Sequence, residues 1–200
     1  MTTTRDAILD GAMHVIRTRG LARTTTKEIA AAAGYSEPML YRFFADKTDL
    51  FLAVLAERLP GVGVTRDDGS DLAGSGTLRD NVRHIVVEMT GFYLTVLPLA
   101  MSIFSDAELL ARHRDAVNDH GTGPEMMTDG VRGYLAAEQA AGRIDADAPI
   151  DGVAFALAGA AQHRAFLWSF NGRGAMALKE IESFADEVVA AALPALSPTA

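Results

Sequence analysis

Residues 33–44, AGYSEPMLYRFF, constrain the fold more than any other part of the chain. They continue a run of strong helix formers, and Gly34 interrupts it. Ser36, Glu37 and Pro38 then announce a second helix: serine suits an N-cap, and proline in a first turn forfeits an amide that has no intrahelical partner. Gly34 can take the positive φ that a sharp corner requires. The local signals therefore predict two short helices, one over residues 26–33 and one from residue 37, joined by a three-residue corner.

The flanking sequence supplies the walls of this corner. Ile8, Ala12, Val15 and Ile16 recur at helical spacing, with Arg5, Asp6, Asp10 and Arg17 mostly on the other side, and Gly20 closes that first helix. Thr25 followed by Glu28 is a capping box for the second helix. Asp46 precedes Lys47 and a run with Leu50, Phe51, Val54, Leu55 and Leu59 on one face, a fourth helix that Pro60 ends. Residues 60–76 contain five glycines and no sustained periodicity, as expected of a flexible connection. Beyond it, apolar helices are expected over residues 78–97, 99–118, 125–141, 150–170 and 177–193, with Pro98 breaking or kinking the first from the second. No useful strand alternation occurs, so the fold class is all-α: an N-terminal three-helix unit with a helix-turn-helix over residues 1–50 and a helical bundle over residues 51–200.

Zero cysteines exclude disulfides, thiolate metal sites and cysteine nucleophiles, and suit a reducing compartment. The N-terminus lacks the pattern of a secretory signal, and the apolar stretch at residues 153–161 is far shorter than the roughly 20 residues that span a bilayer. A cytoplasmic protein without membrane contact is expected. The net charge of −8 is uneven: residues 1–50 hold 7 Lys and Arg against 6 Asp and Glu, which leaves 11 against 20 from the totals of 18 and 26, or +1 and −9. The total argues against non-specific nucleic-acid binding by the whole surface, and the acidity belongs to the larger C-terminal part.

A helix-turn-helix sets its first helix across a DNA backbone and holds the second in the major groove. Glu37, Pro38 and Met39 would be exposed there, while Ile29, Ala33 and Leu40 pack inward. Thr25, Thr26 and Ser36 stand at helix starts that offer amides to phosphate oxygens, Lys27 and Lys47 add charge, and Tyr41 and Arg42 are one turn into the second helix. Pro38 and Met39 suit a thymine methyl, and Glu37 suits the cytosine N4 donor.

Through residues 24–51, TTTKEIAAAAGYSEPMLYRFFADKTDLF, the chain resembles the TetR family of transcriptional regulators. The threonine opening helix two, Ile29-Ala30, Ala33-Gly34, Ser36, Tyr41, Phe44, Lys47 and Leu50 stand at that family's spacing, and helix one extends the likeness to about residues 5–55. Tyr35 fills a position commonly held by valine, and Pro38 lies within the short recognition helix, so a base preference does not carry over. The resemblance implies a non-enzymatic regulator, most simply a repressor. It would bind a near-palindromic double-stranded operator as a homodimer and be released by a small-molecule effector, with no cofactor.

For the C-terminal part, Ala158, Ala161 and Ala165 form a small-residue row, with Phe166 near the helix end, and Ile181, Phe184 and Val188 mark one face of the last helix. These seven are the expected dimer interface. Met89, Phe92, Tyr93, Met101, Phe104, Met127, Tyr134, Phe155 and His163 are the expected lining of an apolar or aromatic effector site, because methionines and aromatics make adaptable pockets. A catalytic or metal site is not expected: His84 and Glu88 share a helical face, but their spacing is not that of a zinc motif, and residues 67–71 lack a calcium-loop pattern.

Overall fold

The structure is a computed structural model that describes residues 3–20, 23–58, 72–104, 107–120 and 123–196. Among the described residues it is all-helical: α1 (Thr4–Arg19), α2 (Thr26–Ala33), α3 (Glu37–Leu40), α4 (Lys47–Arg58), α5 (Leu78–Phe104), α6 (Ala107–His120), α7 (Met126–Ala140), α8 (Ile150–Phe170) and α9 (Leu178–Ala192), then a 3-10 turn, Leu193–Ala195. The chain forms two compact units, residues 1–60 with 95–121, and residues 61–94 with 122–200.

The first unit is built around α1. Ile8, Leu9, Ala12, Val15 and Ile16 meet Ile29 and Ala30 of α2, Leu40 of α3, Phe44, and Leu50, Phe51 and Val54 of α4 in one core. Leu99 and Ile103 from the end of α5 and Leu109 of α6 complete it. Each such aliphatic side chain contributes about 1.5–3 kcal/mol by leaving water. Packing is dense: the gap bounded by Ile16, Phe51, Val54, Leu99 and Leu109 measures about 10 Å³, room for one water at most.

Ion pairs tie α1 to α4 at the rim of this core. Arg58 reaches Asp6 Oδ1 and Asp10 Oδ1, each at 2.7 Å. Arg5 donates two bonds of 2.6 Å to the Glu57 carboxylate. Arg112 of α6 reaches Asp46 Oδ2 at 2.8 Å, and Asp46 Oδ1 accepts the Asp49 amide at 2.7 Å, so one carboxylate both caps α4 and holds α6.

In the second unit, Val82, Ile85, Val86, Met89 and Tyr93 of α5, Val131, Tyr134 and Leu135 of α7, and Ala154, Leu157, Ala161 and Ala165 of α8 are buried. By length and composition α5 carries one stretch, Leu78–Met101, that could cross a bilayer. Its face at Val82, Ile85, Val86 and Met89 is buried in protein. Buried Glu138 meets Arg143 Nε at 3.1 Å, and Arg143 also donates to the Gly76 carbonyl at 2.9 Å. That second bond fixes the chain just before α5.

Most expected ends are found. Gly20 and Gly34 close α1 and α2 with φ of 80° and 77°. Thr25 makes both halves of its capping box with Glu28, and Thr3 makes an equivalent box with Asp6 that the sequence reading did not include. Pro98 does not end a helix: α5 continues from Leu78 to Phe104. The cost of an internal proline, about 3 kcal/mol, is offset because the turns beyond it bury Leu99 and Ile103. Ser36 occupies the N-cap of α3, yet its side chain makes no cap bond. The expected connection over residues 60–76 lies outside the described residues as far as residue 71, as do Leu59 and Pro60. In its described end, Asn81 Nδ2 holds the carbonyls of Leu72 and Ser75 at 3.2 and 2.8 Å.

Asp6 gives the first unit a defined acid sensitivity. Bonds from the Thr3 hydroxyl, then from Arg58 and the Thr3 amide, hold its carboxyl at about 2, below its ordinary 3.8. A folded value below the unfolded one means stabilisation present above about pH 4 and lost as the pH falls toward 2. Asp6→Asn is expected to lower the urea midpoint at pH 6, and the gap from wild type is expected to close through that window. A gap that stays constant with pH would show that the charge of Asp6 contributes nothing.

Candidate nucleic-acid interface

The corner owes its shape to three local choices. α2 ends where Gly34 enters the left-handed region (φ 77°, ψ 25°), and the Tyr35 amide turns back to the Ala30 carbonyl at 2.9 Å. Ile29 and Leu40, at 0% and 1% exposure, then anchor the two helices in the same core. α1 comes so close beneath that a Cβ on Gly11 would lie 3.0 Å from the Ala33 amide nitrogen. The angle between α2 and α3 is thereby held by packing, and their polar outer sides stay in water.

On that outer side Lys27, Ser36, Pro38, Tyr41 and Arg42 are exposed. The Ser36 hydroxyl makes no cap bond, which leaves it available as a donor. Lys47, half-buried, sets its ammonium 5.1 Å from the Phe51 ring centre. Thr25 is exposed, but its hydroxyl is engaged with Glu28: it donates to Oε2 at 2.9 Å and accepts the Glu28 amide at 3.2 Å. These bonds, with the neighbouring Arg19, hold the Glu28 carboxyl below its usual range. Thr26 donates its hydroxyl to Glu37 Oε1 and accepts from the Tyr41 hydroxyl at 3.5 Å.

Several expectations need correction. α3 is a single turn, so Tyr41 and Arg42 stand in the turn that follows it, where the Phe44 amide bonds the Leu40 carbonyl at 3.0 Å. Leu40 and Phe44 are the reason: both are drawn into the core, which leaves residues 41–43 to loop over the outside. Met39 is half-buried and packs on the core, and Glu37 is half-buried beside Thr26. Of the N-terminal cations, Arg5 is engaged by Glu57 and Arg19 by Glu28, whereas Lys27 and Arg42 make no ion pair among the described residues. Phe43 and Tyr35, 41% and 37% exposed, are surface aromatics beside this face that sequence reasoning did not select. The i,i+4 inward pair Leu40 and Phe44 was the signal that could have marked Phe43.

The other expected sites fare unevenly. Met89, Met127 and Tyr134 are fully buried in the second unit, and Phe92 meets the ring of Tyr93 edge-on at 5.5 Å. Burial pushes the Tyr93 and Tyr134 hydroxyls upward, so both are neutral donors. Met101, Phe104, Phe155 and His163 are exposed. In the expected dimer face, Ala158, Ala161, Ala165 and Ile181 are buried within their own chain, because α8 packs on α7 and α9 there. Phe184 and Val188 are half-buried. Phe155, Phe166 and Phe170 of α8 and Leu178 of α9 are large apolar side chains that stay exposed, and His163, Phe166 and Phe170 stack at 6.2 and 5.9 Å.

A rigid corner that presents a short polar-tipped helix above a buried core has the dimensions to enter a major groove while α2 lies against the backbone. The class of fold is a helix-turn-helix. Residues 8–54 match the family profile of bacterial regulatory proteins, tetR family. Over 57 residues the chain is 42% identical to YvkB, an HTH-type transcriptional regulator of Bacillus subtilis (strain 168), covering 28% of this chain and 30% of that one. Over 83 residues it is 31% identical to the HTH-type transcriptional regulator BetI of Rhizobium meliloti (strain 1021), covering 41% and 39%. The chain thus aligns with less than half the length of these relatives. Along nearly its whole length the fold is similar to that of a TetR-family regulator from Mesorhizobium loti MAFF303099, with a TM-score of 0.79, 21% identity and coverage of 98% and 97%. It is also similar to FadR from Bacillus subtilis, solved with stearoyl-CoA, at a TM-score of 0.67, 15% identity and coverage of 95% and 98%. The tetR-family match thus lies in residues 8–54, and over nearly its whole length the chain shares the fold of these solved regulators.

If Lys27, Arg42 and Lys47 face phosphates, each replacement by alanine is expected to weaken binding to every duplex by a similar factor and to lower the log–log salt slope by about 1. Titrating wild type and variants over a salt series checks this, and unchanged slopes would remove those cations from the interface.

Proposed function

We propose that the chain is a ligand-responsive transcriptional repressor that binds a near-palindromic operator as a homodimer and is released by a small apolar or aromatic effector. The observation that carries this is the exposed outer face of the corner, with Ser36, Pro38, Tyr41 and Arg42 in water above a core that fixes their helix. In this reading residues 1–50 meet DNA and residues 51–200 hold effector and partner. The partner is a second copy seated on Phe155, Phe166, Phe170 and Leu178, whose exposures of 73%, 36%, 78% and 63% are high for large apolar side chains. Two recognition helices then read two half-sites about one helical turn apart or somewhat more.

Release requires the effector to prefer a conformation in which those helices no longer match the half-sites. A coupling of about 3 kcal/mol would lower DNA affinity roughly 150-fold. α4 is the natural lever: Phe51 and Val54 belong to the core under the DNA-binding helices, and Arg112 of α6 holds the Asp46 cap at its start. The apolar character of the effector rests on Met89, Phe92, Tyr93, Met127 and Tyr134. That a similar fold was solved with stearoyl-CoA makes acyl-CoA thioesters the first compounds to try beside aromatic ones.

Enrichment of bound duplexes from a random pool is expected to return an inverted repeat, and a panel of acyl-CoA and aromatic compounds is expected to yield one that dissociates it. Recovery of no sequence above background would reject the regulator; equal operator affinity with and without every saturating ligand would reject the coupling. Phe170→Glu is expected to convert a dimer to a monomer in sedimentation and to abolish binding to the paired site.

A further inference from the structure

We propose that Glu37 is a selectivity residue of the DNA-facing surface: its carboxylate, held by the Thr26 hydroxyl, lowers affinity for arbitrary duplexes and favours those that present an exocyclic amine beside it. This rests on the DNA-binding reading above and names a determinant within it.

The neighbouring acidic groups of the first unit have their charges answered. Glu28 is paired with Arg19, Asp46 with Arg112 and Glu57 with Arg5, while Asp49 accepts the Ala45 amide at 2.9 Å. Glu37 meets only a hydroxyl among the described residues, on Oε1. The Tyr41 hydroxyl in turn points at Thr26 Oγ1 from 3.5 Å, so three polar groups form a relay across the seam between α2 and the turn after α3. Tyr41 is 52% exposed and Glu37 half-buried, which leaves this relay at the surface and not in the core.

A carboxylate has about four acceptor positions, and the relay uses one of them. Oε2 is open to a donor. Two kinds of group can approach it on a duplex: phosphate oxygens, which it repels, and the amines at cytosine N4 or adenine N6, which it accepts. Residues 1–50 carry a net charge of only +1, so a single carboxylate in the contact surface weighs heavily against non-specific attraction. A site that offers the amine recovers the loss, and a site that lacks it does not. Discrimination then comes from the penalty on wrong sequences as much as from the bond to the right one.

The test uses the full chain as wild type, Glu37→Gln and Glu37→Ala, with a random-sequence duplex and a duplex enriched by the wild type from a random pool. Glutamine keeps an acceptor for Thr26 and removes the charge; alanine removes both. Both variants are expected to bind the random duplex about tenfold tighter and to gain less, or lose, on the enriched one. Enrichment repeated with Glu37→Gln is expected to lose the preference at one base pair per half-site. Affinity for the random duplex that does not rise, or that rises equally on both duplexes with the preference intact, overturns the proposal. Failure of the wild type to bind any duplex overturns the DNA-binding reading itself, and this inference with it, so the two failures are distinguishable.

Discussion

At Gly11 the backbone of α1 approaches α2 so closely that a methyl group there would press on the Ala33 backbone and side chain at 3.0–3.2 Å. This contact sets the level at which α2 lies, and α2 sets the corner. Ile8, Leu9 and Ala12 of α1 fill the space on either side, so Ile29 and Leu40 share one core although a left-handed glycine separates their helices. Without that common floor, a four-residue α3 would have too few hydrogen bonds to persist. The geometry of the DNA-facing surface is therefore a property of the packing beneath it.

Charges are distributed around this core in two ways. Arg5, Arg19, Arg58 and Arg112 are tied to carboxylates and brace helix against helix. Exposed pairs of this kind each contribute about 0–1 kcal/mol, so their value lies in holding α1, α4 and α6 in register more than in stability. Lys27 and Arg42 are left to meet a partner. The division leaves exposed cations unpaired in a segment that is nearly neutral in sum.

The helix-turn-helix was legible because each of its parts is a local signal. Thr25 and Glu28 are three residues apart, Gly34 sits where φ must be positive, and Pro38 suits the first turn of a helix. The Ser36 cap and the reach of Tyr41 and Arg42 were less legible, since they depend on how Leu40 and Phe44 are pulled into the core. The role of Ala158, Ala161 and Ala165 was less legible for a related reason. A row of small residues marks close helix approach, but nothing in the row says whether the approaching helix belongs to the same chain; here the row is buried within its own chain, where α8 packs on α7 and α9. That Pro98 does not break α5 was illegible in the same manner, because the burial of Leu99 and Ile103 beyond it is a distant contact.

The sequence by itself determined the all-helical class, the positions of the corner and most helix ends, and with them the likeness of residues 8–54 to the tetR family. Those follow from backbone preferences and periodicity within a few residues. Tertiary structure decided which polar groups face outward, which cations are already paired, and that the Glu37 carboxylate lies against the Thr26 hydroxyl eleven positions earlier in the chain. Such outcomes belong to contacts between residues far apart in the chain, where burial and geometry, unlike propensity, leave no imprint on the local order of amino acids.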